Sequence, residues 1–263
     1  MNTNDEIIIF DIVQESVHSR IPARENFSVT CITHPLTFLN KVIVGSNEGR
    51  LTLVNIKSGR EIHEFQSIKP KNEEFQSITC LEQTPAKGVI AVCYSTGIIN
   101  FLNINTDELI FSLSHETAVT SISFRTDGVE QLAVGLKTGK IAIWDLENQK
   151  LVGEKEAHRS EIAGLNYIHN QGIMVSNGSD NSIVLWTFDT SSEVLTLPVQ
   201  RVSRKGHQKE VSTVMFYSED YFLTSGKDSL LNSWSLERVN NAVSFGRAKS
   251  CTSKQFKKLK SRF

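Results

Sequence analysis

Proline is scarce in this chain. There are five in 263 residues, and Pro22, Pro70 and Pro198 fall between apolar stretches rather than inside them. With 39% hydrophobic and 22% charged residues, the composition excludes a disordered tail protein and a fibre. The longest purely aliphatic and aromatic run, Ile7-Ile8-Ile9-Phe10, falls far short of the roughly 20 apolar residues a spanning helix needs. Helical periodicity is missing until the last dozen residues. After Met1 come Asn2, Thr3, Asn4, Asp5 and Glu6, with no basic start and no small-residue cleavage site, so no secretory signal is expected. Only four cysteines occur, Cys31, Cys80, Cys93 and Cys251, and none forms a Cys-x-x-Cys pair. Neither a zinc site nor a redox motif is suggested, and reduced thiols are the expectation.

Motifs of chemistry are missing as well. The glycine-rich dinucleotide and phosphate loops, Gly-x-Ser-x-Gly and His-Glu-x-x-His do not occur. Asn26-Phe27-Ser28 and Asn177-Gly178-Ser179 fit the glycosylation pattern, which is incidental without a secretory signal. The expectation is a chain that is not an enzyme, with no metal, no cofactor, no small-molecule substrate and no membrane partner.

Charge is present but unevenly spread. The net charge of −1 hides thirteen Lys and Arg against five Asp and Glu after residue 200. From 245 to 263 there are seven basic residues and no acidic one. A neutral or acidic body with a basic tail points to a partner, not to a fold.

What the sequence does have is a repeat. Val29-Thr30-Cys31-Ile32, Ile78-Thr79-Cys80-Leu81, Val119-Thr120-Ser121-Ile122, Ile162-Ala163-Gly164-Leu165 and Val211-Ser212-Thr213-Val214 share the order apolar, small, small, apolar. Their starts lie 49, 41, 43 and 49 residues apart. A second comb has Val54, Leu102, Trp144, Trp186 and Trp234 at equivalent places, 48, 42, 42 and 48 apart. Ile8-Ile9-Phe10-Asp11 makes one further tooth. Two combs with one period predict a repeat architecture.

Each repeat reads as four short strands. In the third these are 119–124, 131–136, 140–145 and 150–155, with Asp127-Gly128 and Thr138-Gly139 as hairpin turns. Stretches such as Val89-Ile90-Ala91-Val92 are apolar on both faces, which suits a sheet sandwiched between sheets. Four-stranded repeats of this period, with Gly206-His207 early in one and Trp144-Asp145 late in another, resemble the WD-repeat family. The resemblance implies an all-β fold, a WD-repeat β-propeller of five four-stranded blades plus a half blade, with an incomplete ring. The blades are expected at 26–66, 75–114, 115–156, 158–200 and 206–245, the half blade at 5–21, and a basic tail at 246–263. The opening half blade leads us to expect a fragment of a longer protein rather than a short form completed by a partner.

The same resemblance implies a hydrogen-bonded chain in each complete blade. A His precedes the first strand, a Ser or Thr sits in the second, an Asp in the next turn, and a Trp in the third. The chemistry is sound, since a buried indole N–H needs a partner. The fourth repeat carries His158, Ser176, Asp180 and Trp186, and the fifth carries His207, Thr224, Asp228 and Trp234. The third is partial: His115 and Trp144 are present, but Val134 and Thr138 replace the hydroxyl and the carboxylate. Val54 and Leu102 fill the Trp place in the first two. Histidines on separate blades do not converge on a metal, and Asp180 and Asp228 occupy separate turns, too far apart for an acid–base pair.

Two basic clusters carry the partner question. Arg201, Arg204 and Lys205 are expected in a connection leading to His207, and Lys254, Lys257, Lys258, Lys260 and Arg262 crowd the tail. Solvated surface and a functional role weigh evenly for each; for the tail the functional alternatives are contact with RNA phosphates or a nuclear import signal, for which Lys257-Lys258-Leu259-Lys260 fits a short cluster.

Several strings narrow the resemblance. Ser121-Ile122-Ser123-Phe124-Arg125-Thr126-Asp127-Gly128, Leu132-Ala133-Val134-Gly135, Ser179-Asp180-Asn181-Ser182-Ile183 and Phe188-Asp189 occur in that order. They resemble the tandem-propeller WD-repeat subunits of the UTP-B module of the small-subunit processome, over the later part of the first propeller. That implies a non-catalytic scaffold in ribosome biogenesis, needed for processing small-subunit rRNA precursor. The implied partners are other processome proteins and pre-ribosomal RNA through the basic segments, in the nucleus and nucleolus. The alternative is a generic WD-repeat adaptor in ubiquitin ligation or signalling.

Overall fold

The computed structural model describes residues 6–22, 24–68, 76–189, 195–239 and 242–252. Every regular element among them is a β-strand. The strands fall into two compact units that divide at residues 119 and 120.

The first unit opens with a hairpin, β1 (Glu6–Asp11) and β2 (Ser16–Pro22). Two antiparallel four-stranded meanders follow. One is β3 (Val29–Thr33), β4 (Lys41–Ser46), β5 (Leu51–Asn55) and β6 (Arg60–Glu64). The other is β7 (Ile78–Gln83), β8 (Val89–Tyr94), β9 (Ile98–Asn103) and β10 (Glu108–Ser114). The second unit has three meanders. They are β11 (Val119–Phe124) to β14 (Lys150–Glu156) through β12 (Gln131–Leu136) and β13 (Lys140–Asp145); β15 (Ile162–Tyr167) to β18 (Val199–Lys205) through β16 (Ile173–Gly178) and β17 (Ser182–Thr187); and β19 (Val211–Phe216) to β22 (Ala242–Thr252) through β20 (Tyr221–Gly226) and β21 (Leu230–Val239).

In four of the five meanders the second strand has no wet face, while β20 in the last one exposes Tyr221 and fully buries only Phe222 and Thr224. All six residues of β12 and of β16 are buried, as are five of six in β4 and β8. Such strands need a neighbouring sheet on each side. In the first unit, Ile43, Leu51 and Leu53 pack against Ile78, Ile90, Val92 and Leu102 of the next meander. The other face of the same sheet, through Val42, Val44 and Val54, packs on Ile21, with Ile7 and Ile9 of the hairpin against it. In the second unit, Ala133, Ile141 and Ile143 meet Met174, Val184 and Trp186, while Val175, Ile183 and Leu185 meet Val214, Phe222 and Trp234. Alternate residues of β17 therefore serve two different interfaces, as the period of two in a strand requires.

The outer strands differ from the sequence expectation in the last two blades. Arg201, Arg204 and Lys205 do not lie in a connection; they belong to β18, the fourth strand of its blade. The fifth blade does not end at 245. Residues 246–252, assigned above to the tail, are strand, because β21 and β22 form a long ribbon whose register runs from Val239↔Ala242 to Leu230↔Thr252. Outer strands are solvated over most of their length, so they carry no apolar pattern by which the sequence could place them.

The two-sided burial sets the expected cost of trimming the core. Leu102 is fully buried, whereas Leu36 is 86% exposed in the loop between β3 and β4. Leu102→Ala is expected to destabilise by about 2–5 kcal/mol. Leu36→Ala should stay within about 0.5 kcal/mol of the parent. Urea unfolding of the two variants checks this, and comparable midpoint shifts would contradict the burial described.

Candidate functional site

Two polar chains are buried within the apolar second unit. In the β15–β18 blade, Trp186 Nε1–H donates to Ser176 Oγ at 2.8 Å. With that lone pair taken, the Ser176 hydroxyl points its proton at His158 Nε2, also 2.8 Å away. His158 Nδ1–H then faces Asp180 Oδ1 at 3.1 Å and Ser182 Oγ at 2.8 Å. The carboxylate finishes the chain by accepting the Arg159 and Ser182 N–H groups at 3.0 and 3.1 Å and the Ser182 hydroxyl at 2.6 Å. The β19–β22 blade repeats the arrangement. Trp234 Nε1–H donates to Thr224 Oγ1 at 2.8 Å, Thr224 meets His207 Nε2 at 2.8 Å, and His207 Nδ1 meets Asp228 Oδ1 at 2.9 Å. Asp228 accepts the Gln208 and Leu230 N–H groups.

Electrostatics follow from burial. His158 is held below its ordinary pKa by desolvation, against the pull of Asp180. Burial pushes the Asp180 carboxyl up, but the hydrogen bonds from Ser182 and Arg159 outweigh it and bring the group to about 2. Asp228 is likewise lowered: desolvation raises it, and the bonds from His207, Gln208 and Leu230 overcome that. These groups bind the segment before each first strand to the turn between the second and third. Their lone pairs and protons are consumed in doing so.

A glycine accompanies the complete chain in both blades. Gly178 and Gly226 stand two places after Ser176 and Thr224. A Cβ on Gly178 would sit 2.6 Å from His158 Nδ1, and one on Gly226 would sit 2.5 Å from His207 Nδ1. The same place in the other three blades is filled by Ser46, Tyr94 and Leu136, all buried. So Ser/Thr-x-Gly-x-Asp is the readable signal, and the sequence reading did not use the glycine. In the β11–β14 blade, Val134 is buried and Thr138 is exposed in a turn. Trp144 is half-buried, opposite Leu132 and Leu151.

The first unit uses other ties, which no motif announced. Asp107, in the turn between β9 and β10, accepts from Gln66 N at 2.9 Å, Ser67 Oγ at 2.8 Å and His63 Nε2 at 2.8 Å. Arg50 grips Glu64 with two parallel bonds of 2.8 and 2.7 Å. Burial disfavours the thiolate at two cysteines. Desolvation raises Cys31 to about 11 and holds Cys93 well above its ordinary value. Among the described residues, no group of three His, Cys, Asp or Glu could hold a metal ion.

The basic residues sit on the outer strands of the second unit. Arg201, Arg204 and Lys205 are exposed on β18. Arg201 Nε donates to Thr187 Oγ1 at 2.7 Å, and the Arg204 guanidinium lies 5.7 Å from the Phe245 ring centre. On β22, Arg247 lies 5.2 Å from the Trp234 ring centre and donates to Gly206 O at 2.6 Å. Neither β18 nor β22 contains an acidic residue, whereas β6, β10 and β14 all do. Lys254, Lys257, Lys258, Lys260 and Arg262 lie outside the described residues.

Meanders of this kind are the blades of WD-repeat propellers, and solved structures of that fold superpose on the chain. "Structure of U3-55K" matches with a TM-score of 0.67 over 81% of this chain and 62% of that one, and "Crystal structure of RRP9 WD40 repeats" matches with 0.68, both at 17% identity. The particular family follows from residues 1–189, which match the model described as the WDR36/Utp21 first β-propeller, and the chain belongs to that family. Human WD repeat-containing protein 36 is 32% identical over 94% of this chain and 27% of its own length. The U3 small nucleolar RNA-associated protein 21 homolog of Schizosaccharomyces pombe is 30% identical over 84% of this chain and 24% of its own. The chain thus spans about a quarter of the length of these relatives.

The polar chain makes a paired prediction. Asp180→Ala strands a buried imidazole and hydroxyl and should cost about 1–3 kcal/mol, while Thr138→Ala should cost less. The pH dependence follows from the signs. The Asp180 pKa is depressed in the fold, so its contribution is present above the unfolded value near 4 and fades as pH falls toward about 2. His158 is also depressed, so the unfolded chain takes up its proton first and stability begins to fall below about pH 6.5. Thermal melts between pH 2 and 8 should show Asp180→Asn flattening the acid limb. Equal shifts for Asp180→Ala and Thr138→Ala would contradict this assignment.

Proposed function

We propose that this chain is a non-catalytic docking scaffold in ribosome biogenesis, a component of the small-subunit processome that serves processing of small-subunit rRNA precursor in the nucleolus. Membership of the WDR36/Utp21 first-propeller family carries the reading. The relative from fission yeast bears the name of a U3 small nucleolar RNA-associated protein, which supports an assembly containing RNA. On this reading the Trp–Ser/Thr–His–Asp chains are structural, and blade edges and loops bind other processome proteins. The tail residues Lys254, Lys257, Lys258, Lys260 and Arg262, with Arg201, Arg204 and Lys205, touch RNA phosphates.

Affinity purification of the tagged endogenous protein is the direct test. Other pre-ribosomal factors and precursor rRNA should accompany it. Ubiquitin-ligase or signalling subunits in their place would replace the scaffold reading with that of a generic adaptor. The RNA contact has its own test in the salt dependence of binding. Replacing Lys257, Lys258 and Lys260 by Ser should flatten the log–log salt slope by about two units on single-stranded RNA. Sequence preference should not move, because phosphate contacts position rather than specify. If the tail acts only in import, the slope stays and a fluorescent fusion moves to the cytoplasm instead.

A further inference from the structure

The five outer strands share an irregularity. Each has a bulge opposite the third-strand position where Trp186 or its equivalent stands. The register skips Ile62, Ile110, Val152, Arg201 and Ala248. Four blades place an apolar residue in the bulge. The β18 blade alone places a cation there, and Thr187 Oγ1 holds its guanidinium at 2.7 Å. A bulge re-aims the side chain it carries.

Two residues on is Ser203, exposed, and two beyond that is Lys205, also exposed. Ser203 pairs with Val184 and Lys205 with Ser182, so both stand on one side of the strand, about 6.7 Å apart along it. The hydroxyl thus has cations at −2, +1 and +2: Arg201, Arg204 and Lys205. β18 is the outermost strand of its sheet, with its outer edge unpaired among the described residues. It therefore already offers the extended backbone that a kinase cleft takes in. The apolar side of the strand is pinned, because half-buried Val202 packs into the core with Leu185 and Phe245.

We propose that Ser203 is an acceptor site for a basophilic protein kinase, and that its phosphate, held between Arg201 and Lys205, discharges strand β18. The lone pair of Ser203 Oγ forms the new O–P bond to the γ-phosphorus of a nucleoside triphosphate. The bond from that phosphorus to the bridging oxygen breaks, its electron pair leaves on the nucleoside diphosphate, and the hydroxyl proton goes to the kinase's base. A phosphoserine carries about −1.5 to −2 at pH 7, so the three cations of β18 are left with a net charge of about +1. Arginine and lysine on either side supply charge-assisted hydrogen bonds to the phosphate oxygens. The regulatory half of this inference rests on the reading of β18 as a surface for RNA phosphates; the acceptor half does not.

The test uses the full chain, a kinase that prefers arginine two residues before its serine, and MgATP. Intact mass and peptide mapping should show one phosphate per chain, on Ser203. Ser203→Ala should lose it, Ser203→Thr should keep it, and Arg201→Ala should slow it several-fold while the melting temperature stays put. Labelling elsewhere, or of Ser203 only after heat unfolding, overturns the acceptor site. Binding to single-stranded RNA is measured on both forms. The phosphorylated chain should bind about tenfold more weakly at 0.1 M salt, with a slope flatter by about 1.4, as two lost phosphate contacts require. Full phosphorylation with unchanged RNA affinity overturns the discharge of the strand. An unmodified chain that binds no RNA even at low salt sinks the RNA reading, and the mass measurement still decides the acceptor site.

Discussion

A four-stranded meander whose second strand is buried on both faces cannot stand by itself. β12 and β16 expose neither face, and β17 divides its side chains between two interfaces by simple alternation. That requirement for a sheet on each side governs the rest of the chain. It sets the repeat, because every blade must present the same apolar faces to its neighbours. It also sets where polar atoms are allowed. A polar group buried at the second or third strand costs free energy unless it finds a partner within the protein.

The Trp–Ser/Thr–His–Asp chain is one answer to that requirement, complete in the last two blades. A buried indole N–H calls for an acceptor, the acceptor hydroxyl calls for an outlet for its own proton, and the imidazole calls for a carboxylate. Remove the tryptophan and the need for the others goes too. The first two blades show this with Val54 opposite Val42 and Leu102 opposite Ile90, apolar pairs that need no polar partner. Where the chain is not complete, the glycine two places on is replaced. Ser46, Tyr94 and Leu136 occupy the space that Gly178 and Gly226 leave for a histidine. Inter-segment ties reappear in another form, as Asp107 with His63 and Ser67, and as Arg50 with Glu64.

How much of this is legible in the sequence depends on how local the determinant is. The period, the first three strands of each repeat and their apolar faces are readable, because alternation and turn residues lie within a few positions of one another. The strands expected for the third repeat match β11 to β14 to within one residue. The outer strands are not readable. β18 looks like a polar connection and half of β22 looks like a basic tail, since each sends only one or two side chains, Val202 and Val243 with Phe245, into the core, too few to impose a pattern. Ser182 joins the β15–β18 chain through its hydroxyl, and nothing in the spacing of His158 and Asp180 foretells it. His63 and Asp107 are 44 residues apart, and only the fold brings them within hydrogen-bond reach.

The outer strands are also where chemistry can vary at least cost. Each is laddered along one edge among the described residues, and each sheds one residue from the ladder at its bulge. A charge placed there desolvates little and disturbs no interface. The Arg204 and Arg247 guanidinium groups lie within about 6 Å of the Phe245 and Trp234 ring centres, at 5.7 and 5.2 Å, so part of the cationic surface borders the buried aromatic layer. An arginine in such a position keeps its outward N–H groups while its orientation is fixed, which a lysine on a flexible stem would not achieve. The interior and the edge of the blade are therefore coupled in one direction. The core dictates where the cations stand, while the choice of cations, anions or neither is left to the edge. This is why blades built on one pattern carry an acidic residue alone on β10, both signs on β6 and β14, and cations alone on β18 and β22.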